Sequence, residues 1–378
     1  MNICIDAFGN LNEDTGGKNY LVNLIKNLQD IDKVNFYFIF INQLDADLFQ
    51  IYNKNFSLIS LSNKRVNFYK KIFIKQFIIP KLVKKLKIDR VYFPDNFGCI
   101  FYKTNYLLFI QNLIIFYKTR EIRGLKKYYR IFLMKLSTKK AKSIIVPSLI
   151  SKELLIQKFK IIPEKIKVIY HGIDENYFSS NFNEDFEKQV IKKFNLNRKY
   201  ILYVSALWEY KNHSVLIYAF EKLMKEENLN LDLVLVGKGA ITNRKYLDYL
   251  YELPKKLNIK NNVIFTGDVD KEHLKYIYKN AEVFVMPSMC ESFGFPVVEA
   301  MASRIPVISS SSFALKEIVD DAGILIDASN YEDIYNALKK VIFDSELRDE
   351  LIYRGKQRVK LFSWRKCASE TLSALLRL

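Results

Sequence analysis

The sequence predicts an α/β protein built from two parallel, doubly wound sheets in separate domains. Its 378 residues suffice for two domains of ordinary size. Apolar strand patterns alternate with helical patterns in two series, which is typical of a parallel sheet covered by helices on both faces. A polar stretch at 171–186 follows neither the strand period nor the helix period, so we interpret it as the link between the domains.

The two series can be followed strand by strand. The first begins with a strand at 2–7, a loop that contains Gly16 and Gly17, and helical spacing from Tyr20 to Leu28. Its other predicted strands are 36–41, 90–93, 107–110 and 143–147. The second series has predicted strands at 200–205, 231–236, 263–266, 283–286 and 307–309. Since Trp364 is expected to pack the last helix against the first domain, we predict domains of residues 1–174 plus 362–378 and of residues 175–361.

Positive charge is concentrated in the first half of the chain. The net charge is +18, and residues 1–180 hold 30 Lys and Arg against 14 Asp and Glu. One segment from Lys64 to Lys87 has nine basic and no acidic residues, and another from Lys118 to Lys142 has ten basic and one acidic residue. Both interleave apolar residues with the charges, as do segments that bind an anionic membrane surface. Nucleic acid and plain solvated helices are the alternatives; we favour the membrane surface and expect no nucleic-acid partner.

Cysteine usage and hydropathy bear on the compartment. The four cysteines lie far apart without a CxxC pair, which suits a reducing compartment without structural zinc. The first residues lack a basic region followed by an apolar one, and no run approaches the roughly 20 apolar residues of a membrane span. We therefore expect no signal peptide, and a cytoplasmic location with peripheral contact to the inner face of the cell membrane.

The stretch ESFGFPVVEA at 291–300 has the features of an anion site. It follows a predicted strand and feeds a helix expected to begin at Pro296, and helix N-termini bind phosphate. Gly294 lets a ligand approach the backbone closely. A carboxylate beside a phosphate makes sense only if it accepts hydrogen bonds from hydroxyl groups, and a sugar nucleotide has hydroxyls on both sides of its diphosphate. Glu291 and Glu299 are placed for these two roles, although a core helix with incidental acids remains the alternative.

Several motifs together resemble glycosyltransferase family 4, the large group 1 family. They are E-SFGFPVVE, FTGDV, AEVFVMPS, KVIYHGID, ILYVSALWEYKN and the terminal FSW. The resemblance covers most of the chain and is strongest over 200–330. It implies a GT-B fold, in which two Rossmann-like domains face each other across a cleft. It also implies sugar transfer from a nucleotide donor with retention of anomeric configuration and without a metal.

The resemblance assigns roles to residues of this sequence. It implies that Glu291 contacts the transferred sugar and that Glu299 binds the nucleotide ribose. Lys211 matches the lysine that neutralises the diphosphate, where a fixed cation stabilises the charge that builds up on the leaving group. The other donor-binding positions that it implies are Gly16, Gly17, Phe293, Gly294 and Phe295.

Three positions depart from the family pattern. Ala206 stands where arginine is usual, so Lys211 has less help with the diphosphate. Gln111 stands where histidine is common; we keep it as a catalytic candidate, although an amide cannot act as a base and the family view gives the acceptor proton to the donor phosphate. Arg304 replaces a common glycine, and because a left-handed residue other than glycine costs about 1–2 kcal/mol, we expect an altered turn there.

Other residues complete the predicted site. Asp95, Asn96 and Asn112 fall on loops that are expected to meet the acceptor, and Lys238 follows a strand on the donor side. Asp268 begins a DxD sequence, a frequent chance pattern, and we expect no metal or other cofactor.

These observations lead to one functional prediction with two alternatives. We expect a retaining, metal-independent glycosyltransferase that moves a hexose-type sugar to a glycan or a polyprenyl-linked acceptor in bacterial surface polysaccharide synthesis. The C-terminal domain is expected to bind the donor and the N-terminal domain the acceptor. A nucleotide-sugar epimerase on the same fold and a non-catalytic nucleotide-sugar-binding protein remain open, as do the base, the sugar, the linkage and the oligomeric state.

Overall fold

The computed structural model describes residues 1–9, 16–101, 105–117, 124–174, 177, 182–239 and 243–378, which divide into two compact units. The first unit comprises the described residues of Met1–Phe116, Ile122–Gly172 and Phe362–Leu378. The second comprises Tyr117 and the described residues of Ile173–Leu361. The part of the segment 118–142 before Gly124 lies outside the described residues, as do residues 175–176 and 178–181 of the predicted link.

Strands and helices alternate along both units. The strands are β1 Asn2–Asp6, β2 Phe36–Asn42, β3 Phe56–Ser62, β4 Arg90–Phe93, β5 Tyr106–Phe109, β6 Ser143–Val146, β7 Ile166–Val168, β8 Lys199–Val204, β9 Leu231–Val236, β10 Val263–Gly267, β11 Val283–Met286, β12 Val307–Ser310 and β13 Ile324–Ile326. The α-helices are α1 Gly16–Ile31, α2 Phe68–Phe73, α3 Ile79–Lys85, α4 Leu125–Lys140, α5 Leu149–Phe159, α6 Glu184–Phe194, α7 His213–Glu227, α8 Arg244–Lys256, α9 Lys271–Lys279, α10 Phe295–Ala302, α11 Ala314–Val319, α12 Tyr331–Phe343, α13 Ser345–Val359 and α14 Trp364–Leu376. A π-helical turn, Ile74–Ile78, joins α2 to α3.

Each unit contains one parallel sheet with the doubly wound strand order. The first sheet runs β3-β2-β1-β4-β5-β6-β7 and the second runs β10-β9-β8-β11-β12-β13. All of their strand pairs are parallel. The chain therefore reverses direction across the sheet between β1 and β4, and again between β8 and β11. These two switch points are where open α/β sheets bind ligands.

The helix α14 returns the end of the chain to the first unit. It packs on α1, and the ring of Trp364 lies 6.2 Å from that of Tyr20. Ser363 caps the helix by accepting a hydrogen bond from the amide of Lys366. Trp364 therefore packs the last helix against the first unit, as predicted. The packing is stable because it removes apolar side chains of both helices from water.

The expectation of an altered turn at Arg304 is wrong. Arg304 has a φ of +61° and ends α10 in the left-handed conformation that glycine usually supplies. The amide of Arg304 donates to the carbonyl of Met301 (3.1 Å), and the amide of Ile305 donates to that of Ala300 (3.3 Å). These two bonds make a Schellman motif, and together with the burial of Ile305 they offset the conformational cost of a side chain at this position.

Two further properties concern the membrane and the thiols. Among the residues described by the structure, no helix is both long enough and apolar enough to cross a bilayer. All four cysteines are buried and unpaired as thiols.

Candidate active site

The candidate donor site lies in the second unit, at the carboxyl ends of β8 and β11. Lys211 follows β8 and Glu291 follows β11, so the reversal of strand order places their loops side by side. The amide of Met289 donates to the carbonyl of Tyr210 at 2.9 Å, which fastens one loop to the other. The main chain therefore fixes the two predicted residues relative to each other.

Lys211 and Glu291 form an ion pair although they are 80 positions apart in the sequence. Lys211 Nζ donates to Glu291 Oε1, and the hydroxyl of the buried Ser288 donates to the same oxygen at 2.8 Å. The side chains are 14 % and 12 % exposed, so little water screens the pair, yet a ligand can still reach it. An anionic ligand would compete with Glu291 for the ammonium, while Ser288 would keep the carboxylate in place.

Beside this pair, the helix α10 begins with an unusual backbone. Gly294 precedes the helix with a φ of +100°, and a Cβ atom added there would lie 2.6 Å from Leu315 Cδ2. Pro296 is the second helical residue, one position later than predicted, and still falls where an amide has no partner within the helix. Phe293 is buried and its ring lies 5.2 Å from that of Phe295, so the loop is anchored against the protein. The positive end of the helix dipole therefore follows Glu291 by a few residues, as the motif predicts, and Glu291 in turn pairs with Lys211.

Glu299 lies half-buried on the second turn of α10. It accepts a hydrogen bond from the hydroxyl of Tyr278 at 3.0 Å, and the ring of Tyr177 lies 5.8 Å from that of Tyr278. Burial raises the pKa of the Glu299 carboxyl, while the bond from Tyr278 acts in the opposite direction. A half-buried carboxylate with one donor has capacity left for ligand hydroxyl groups. Its role in ribose binding stays a prediction.

Lys238 is an exposed residue at the end of β9. Its ammonium forms an ion pair with Asp268 at 2.7 Å, and its carbonyl accepts a hydrogen bond from Leu207 at 3.1 Å. Leu207 belongs to the loop that leads to Lys211, so Lys238 lies beside the candidate donor site, and its contact with a donor stays a prediction. The other acid of the DxD sequence, Asp270, caps α9 by accepting from the amide of His273.

In the first unit, four predicted residues meet at the carboxyl ends of β1, β4 and β5. Asn96 Oδ1 accepts hydrogen bonds from the amides of Gln111 (3.0 Å) and Asn112 (3.1 Å). A Cβ atom on Gly17 would lie 3.0 Å from Gln111 Oε1, so glycine lets the start of α1 approach this amide without displacing it. Gly16 opens the same helix. The structure thus places the start of α1 beside the predicted acceptor loops, although contact with the acceptor stays a prediction.

Asp95 takes part in a buried ion-pair network. Its carboxylate lies 2.9 Å from Lys71 and 3.2 Å from Lys75, and the almost completely buried Lys75 also pairs with Asp6 at 2.9 Å. Burial alone would raise the pKa of Asp95, but the two ammonium groups more than offset it and hold the pKa well below its usual range. Lys75 donates a further bond to the carbonyl of Phe97. Because its carboxylate is already paired with two lysines, Asp95 has less hydrogen-bonding capacity left for a glycan acceptor than Asn96 has.

Sequence reasoning did not identify three residues that support the site: Ser288, Tyr278 and Lys75. Ser288 carried a usable signal, because a small hydroxyl residue two positions after a strand and three positions before Glu291 is placed to bond it. For Lys75 the signal was Lys-Gln inside the otherwise apolar run IFIKQFII. A cation enclosed by apolar neighbours needs buried acidic partners.

Two family models match adjacent parts of the chain. The description "Glycosyltransferase Family 4" matches residues 15–177, and "Glycosyl transferases group 1" matches residues 184–358. The two matches correspond to the two series of strands.

The curated relatives are about 30 % identical to this chain over the aligned residues. The O-antigen chain mannosyltransferase B of Escherichia coli is 29 % identical over 235 residues, which are 62 % of this chain and 60 % of that protein. The N-acetylgalactosaminyltransferase of Campylobacter jejuni that acts on N-acetylgalactosamine-N,N'-diacetylbacillosaminyl-diphospho-undecaprenol is 30 % identical over 248 residues, 65 % of this chain and 63 % of that protein. The chain thus aligns with about 60 % of the length of these curated relatives.

A solved structure extends the likeness to the whole fold. HepE of Anabaena in complex with UDP superposes with a TM-score of 0.78 at 16 % identity, and all of both chains is covered. The two family models together show that the chain belongs to the group 1, or family 4, glycosyltransferases, and the superposition shows that it has the GT-B fold with two Rossmann-like domains.

Proposed function

We propose that the protein transfers a hexose-type sugar from a nucleoside-diphosphate sugar to a glycan or polyprenyl-linked glycan acceptor in bacterial surface polysaccharide synthesis. The observation that carries the proposal is the pairing of Lys211 with Glu291 at the switch point of the second sheet, next to the N-terminus of α10. A cation, a helix dipole and a carboxylate meet there. This combination suits a diphosphate attached to a hydroxylated ring.

The proposed reaction retains anomeric configuration and uses no protein nucleophile or metal. The bond between the sugar C1 and the diphosphate oxygen breaks, and its electrons leave with the diphosphate, which Lys211 stabilises. The acceptor oxygen forms the new bond to C1 on the same face, and its proton passes to the departing phosphate oxygen. Glu291 orients the sugar hydroxyls, Glu299 the ribose, and Gln111 donates an amide hydrogen bond without taking a proton.

The relatives support the choice of acceptor. One of them acts on O-antigen chains, and another acts on a saccharide attached to diphospho-undecaprenol. We therefore propose that the donor binds to the second unit, at Lys211, Gly294 and Glu299, and that the acceptor binds to the first unit, where Asn96 holds Gln111. A location at the inner face of the cytoplasmic membrane follows from a polyprenyl-linked acceptor.

A donor screen with matched variants tests this function. Thermal shift against UDP, GDP, ADP and dTDP sugars should identify one nucleotide that raises the melting temperature, because a ligand of the folded state stabilises it. Lys211→Ala should abolish that shift, and Glu291→Gln should lower turnover at least 100-fold. Lys192→Ala, an exposed lysine of α6, serves as the control. Conversion of the donor without an acceptor would show an epimerase instead, and nucleotide binding without transfer or hydrolysis would show a binding protein.

A further inference from the structure

Three phenylalanines form a continuous exposed cluster on the first unit. Phe73, Phe77 and Phe101 are 54 %, 48 % and 73 % exposed. The rings of Phe73 and Phe77 lie 5.2 Å apart, and those of Phe77 and Phe101 lie 6.0 Å apart and nearly parallel. Single apolar side chains on a surface are ordinary, but aromatic rings in contact with one another and with solvent mark an interaction site.

The helical segment that carries this cluster turns its polar residues inward. The π-helical turn places Lys75 and Gln76 in the interior, where Gln76 donates to the carbonyl of Gly98 (2.9 Å) and accepts from the amide of Ile100 (2.7 Å). Phe73 and Phe77 flank this pair and point to solvent. Because the turn directs Lys75 and Gln76 inward, the outward position of the aromatic residues has a local structural cause. Such π-helical turns often occur at functional positions.

Basic residues continue the exposed face after the aromatic ones. Tyr69, one turn before Phe73, is 70 % exposed, and beyond Phe77 the exposed residues of α3 are Lys81, Lys84 and Lys85. The whole stretch from Lys64 to Lys87 contains no acidic residue. We name Tyr69, Phe73, Phe77, Phe101, Lys81, Lys84 and Lys85 the aromatic–basic face.

The neighbouring helix α4 repeats the same arrangement. Tyr128 and Phe132 are 71 % and 56 % exposed, and the exposed Lys135 and Lys139 follow them. Contacts of Phe68 link the two helices: its ring lies 6.3 Å from that of Tyr129, and the Arg130 guanidinium lies over it. Two adjacent helices therefore present exposed aromatic residues followed by lysines.

We propose that the aromatic–basic face docks on an anionic lipid bilayer, with its aromatic rings at the headgroup level and its lysines on lipid phosphates. Charge complementarity favours this occupant, because the segment offers cations without any carboxylate to repel an anionic surface. Aromatic residues beside lysines on one helical face are the composition that binds the membrane interface. A nucleic acid would account for the lysines but needs no chain of contacting phenylalanines on the outside.

Docking would bring the predicted acceptor loops to the membrane. Lys71, two residues before Phe73, pairs with Asp95, and Asp95 Oδ1 accepts a hydrogen bond from the amide of Asn96. Asn96 in turn holds the backbone of Gln111. In this respect the inference rests on the proposed function: an acceptor with a polyprenyl tail would be presented from the same bilayer.

Vesicle co-sedimentation of the full chain tests the docking. The protein should bind phosphatidylglycerol vesicles, release them as NaCl is raised, and bind phosphatidylcholine vesicles weakly. Lys81→Gln/Lys84→Gln/Lys85→Gln should weaken binding about 100-fold, and Phe77→Ser/Phe101→Ser about tenfold or more. The matched controls lie in the second unit. The control for charge is Lys192→Gln/Lys256→Gln/Lys356→Gln, and the control for apolarity is Phe343→Ser, because the Phe343 side chain is 56 % exposed, between Phe77 and Phe101. Controls that weaken binding as much as the test variants would overturn the proposal.

Depth and specificity have separate readouts. Brominated lipids should quench the fluorescence of the tryptophan introduced by Phe77→Trp, but not that of the tryptophan introduced by Phe343→Trp. Absence of quenching in Phe77→Trp would overturn the insertion of this face into the bilayer. Lipid-independent dimers that Phe77→Ser/Phe101→Ser abolishes would assign the face to a second copy, and duplex binding with the same dependence would assign it to nucleic acid. Donor hydrolysis measured without vesicles should stay unchanged in all docking variants, so a failure of catalysis and a failure of docking are distinguishable.

Discussion

Ser288 illustrates at the scale of one residue how the candidate site is maintained. Its hydroxyl and the ammonium of Lys211 share one oxygen of Glu291, so the serine can hold the carboxylate when the lysine turns to a diphosphate. We predict that Ser288→Ala lowers kcat/KM about tenfold, since a hydrogen bond to a charged group contributes about 1.5–3 kcal/mol.

The control for this prediction is Ser309→Ala. Ser309 is equally buried, at the end of the next strand β12, and its hydroxyl bonds a backbone carbonyl instead of Glu291. Steady-state kinetics and urea unfolding of both variants would separate positioning from stability. Equal activity losses in the two variants, or an unchanged kcat/KM in Ser288→Ala, would contradict the role assigned to Ser288.

Individual residues also show how far the sequence can be interpreted. Glu291, Glu299 and Gly294 were identifiable because their spacing within one motif fixes them on one loop and helix. The pairing of Asp95 with Lys75 was not, because it depends on a π-helical turn that no simple period predicts. Arg304 shows the same limit, since tertiary burial of Ile305 outweighed a local conformational preference.

At the scale of the element, the start of α10 depends on a single glycine. Gly294→Ala adds a methyl group at a φ of +100°, 2.6 Å from Leu315. We predict a loss of about 2 kcal/mol in stability, from backbone strain and the clash, together with weaker donor binding. Chemical unfolding and nucleotide titration measure the two effects.

Gly124→Ala is the matched control for the helix start. It also has a positive φ, +69°, but no atom lies within 4 Å of the added carbon. Only the strain of the backbone applies there, so its stability loss should be smaller and donor binding should not change. In a double-mutant cycle, Leu315→Ala removes a fully buried side chain and should cost less stability when Gly294 is already alanine than when it is glycine. Equal costs in the two backgrounds would exclude the clash as a cause.

Prediction of elements succeeded for the central strands and for the edge strand β10, but it missed the other three edges of the two sheets. The apolar runs of β1, β5, β9 and β11 are buried on both faces, which makes them recognisable. β3, β7 and β13 were missed: each is an edge strand, partly exposed or only three residues long. At an edge, one neighbouring strand and solvent replace the burial that produces a continuous apolar pattern.

At the scale of the whole molecule, each unit contains one buried histidine. Burial lowers the pKa of His171 and of His213 from 6.5 to about 3. The unfolded chain takes up these protons below pH 6.5, whereas the folded chain does not until near pH 3. The stability that they contribute is therefore fully present above pH 6.5 and is lost as the pH falls from 6.5 towards 3.

We predict that each histidine lowers the free energy of unfolding by about 1.4 kcal/mol for each unit by which the pH falls between pH 6 and 5. His171→Phe should remove this dependence from the first unit, where the ring packs among Tyr20, Phe109 and Trp364, and His213→Phe should remove it from the second. Calorimetry at pH 5, 5.5 and 6 would measure both. A variant that keeps the full pH slope would show that its histidine is already charged in the folded state.

The position of α14 has a consequence for how the protein is made. Residues 362–378 complete the first unit, yet they are the last of these 378 residues to leave the ribosome. During translation the second unit can acquire its full set of strands and helices before the first does. Until then the part of α1 that α14 covers is exposed to solvent, and a nascent chain with exposed apolar surface is one that chaperones bind.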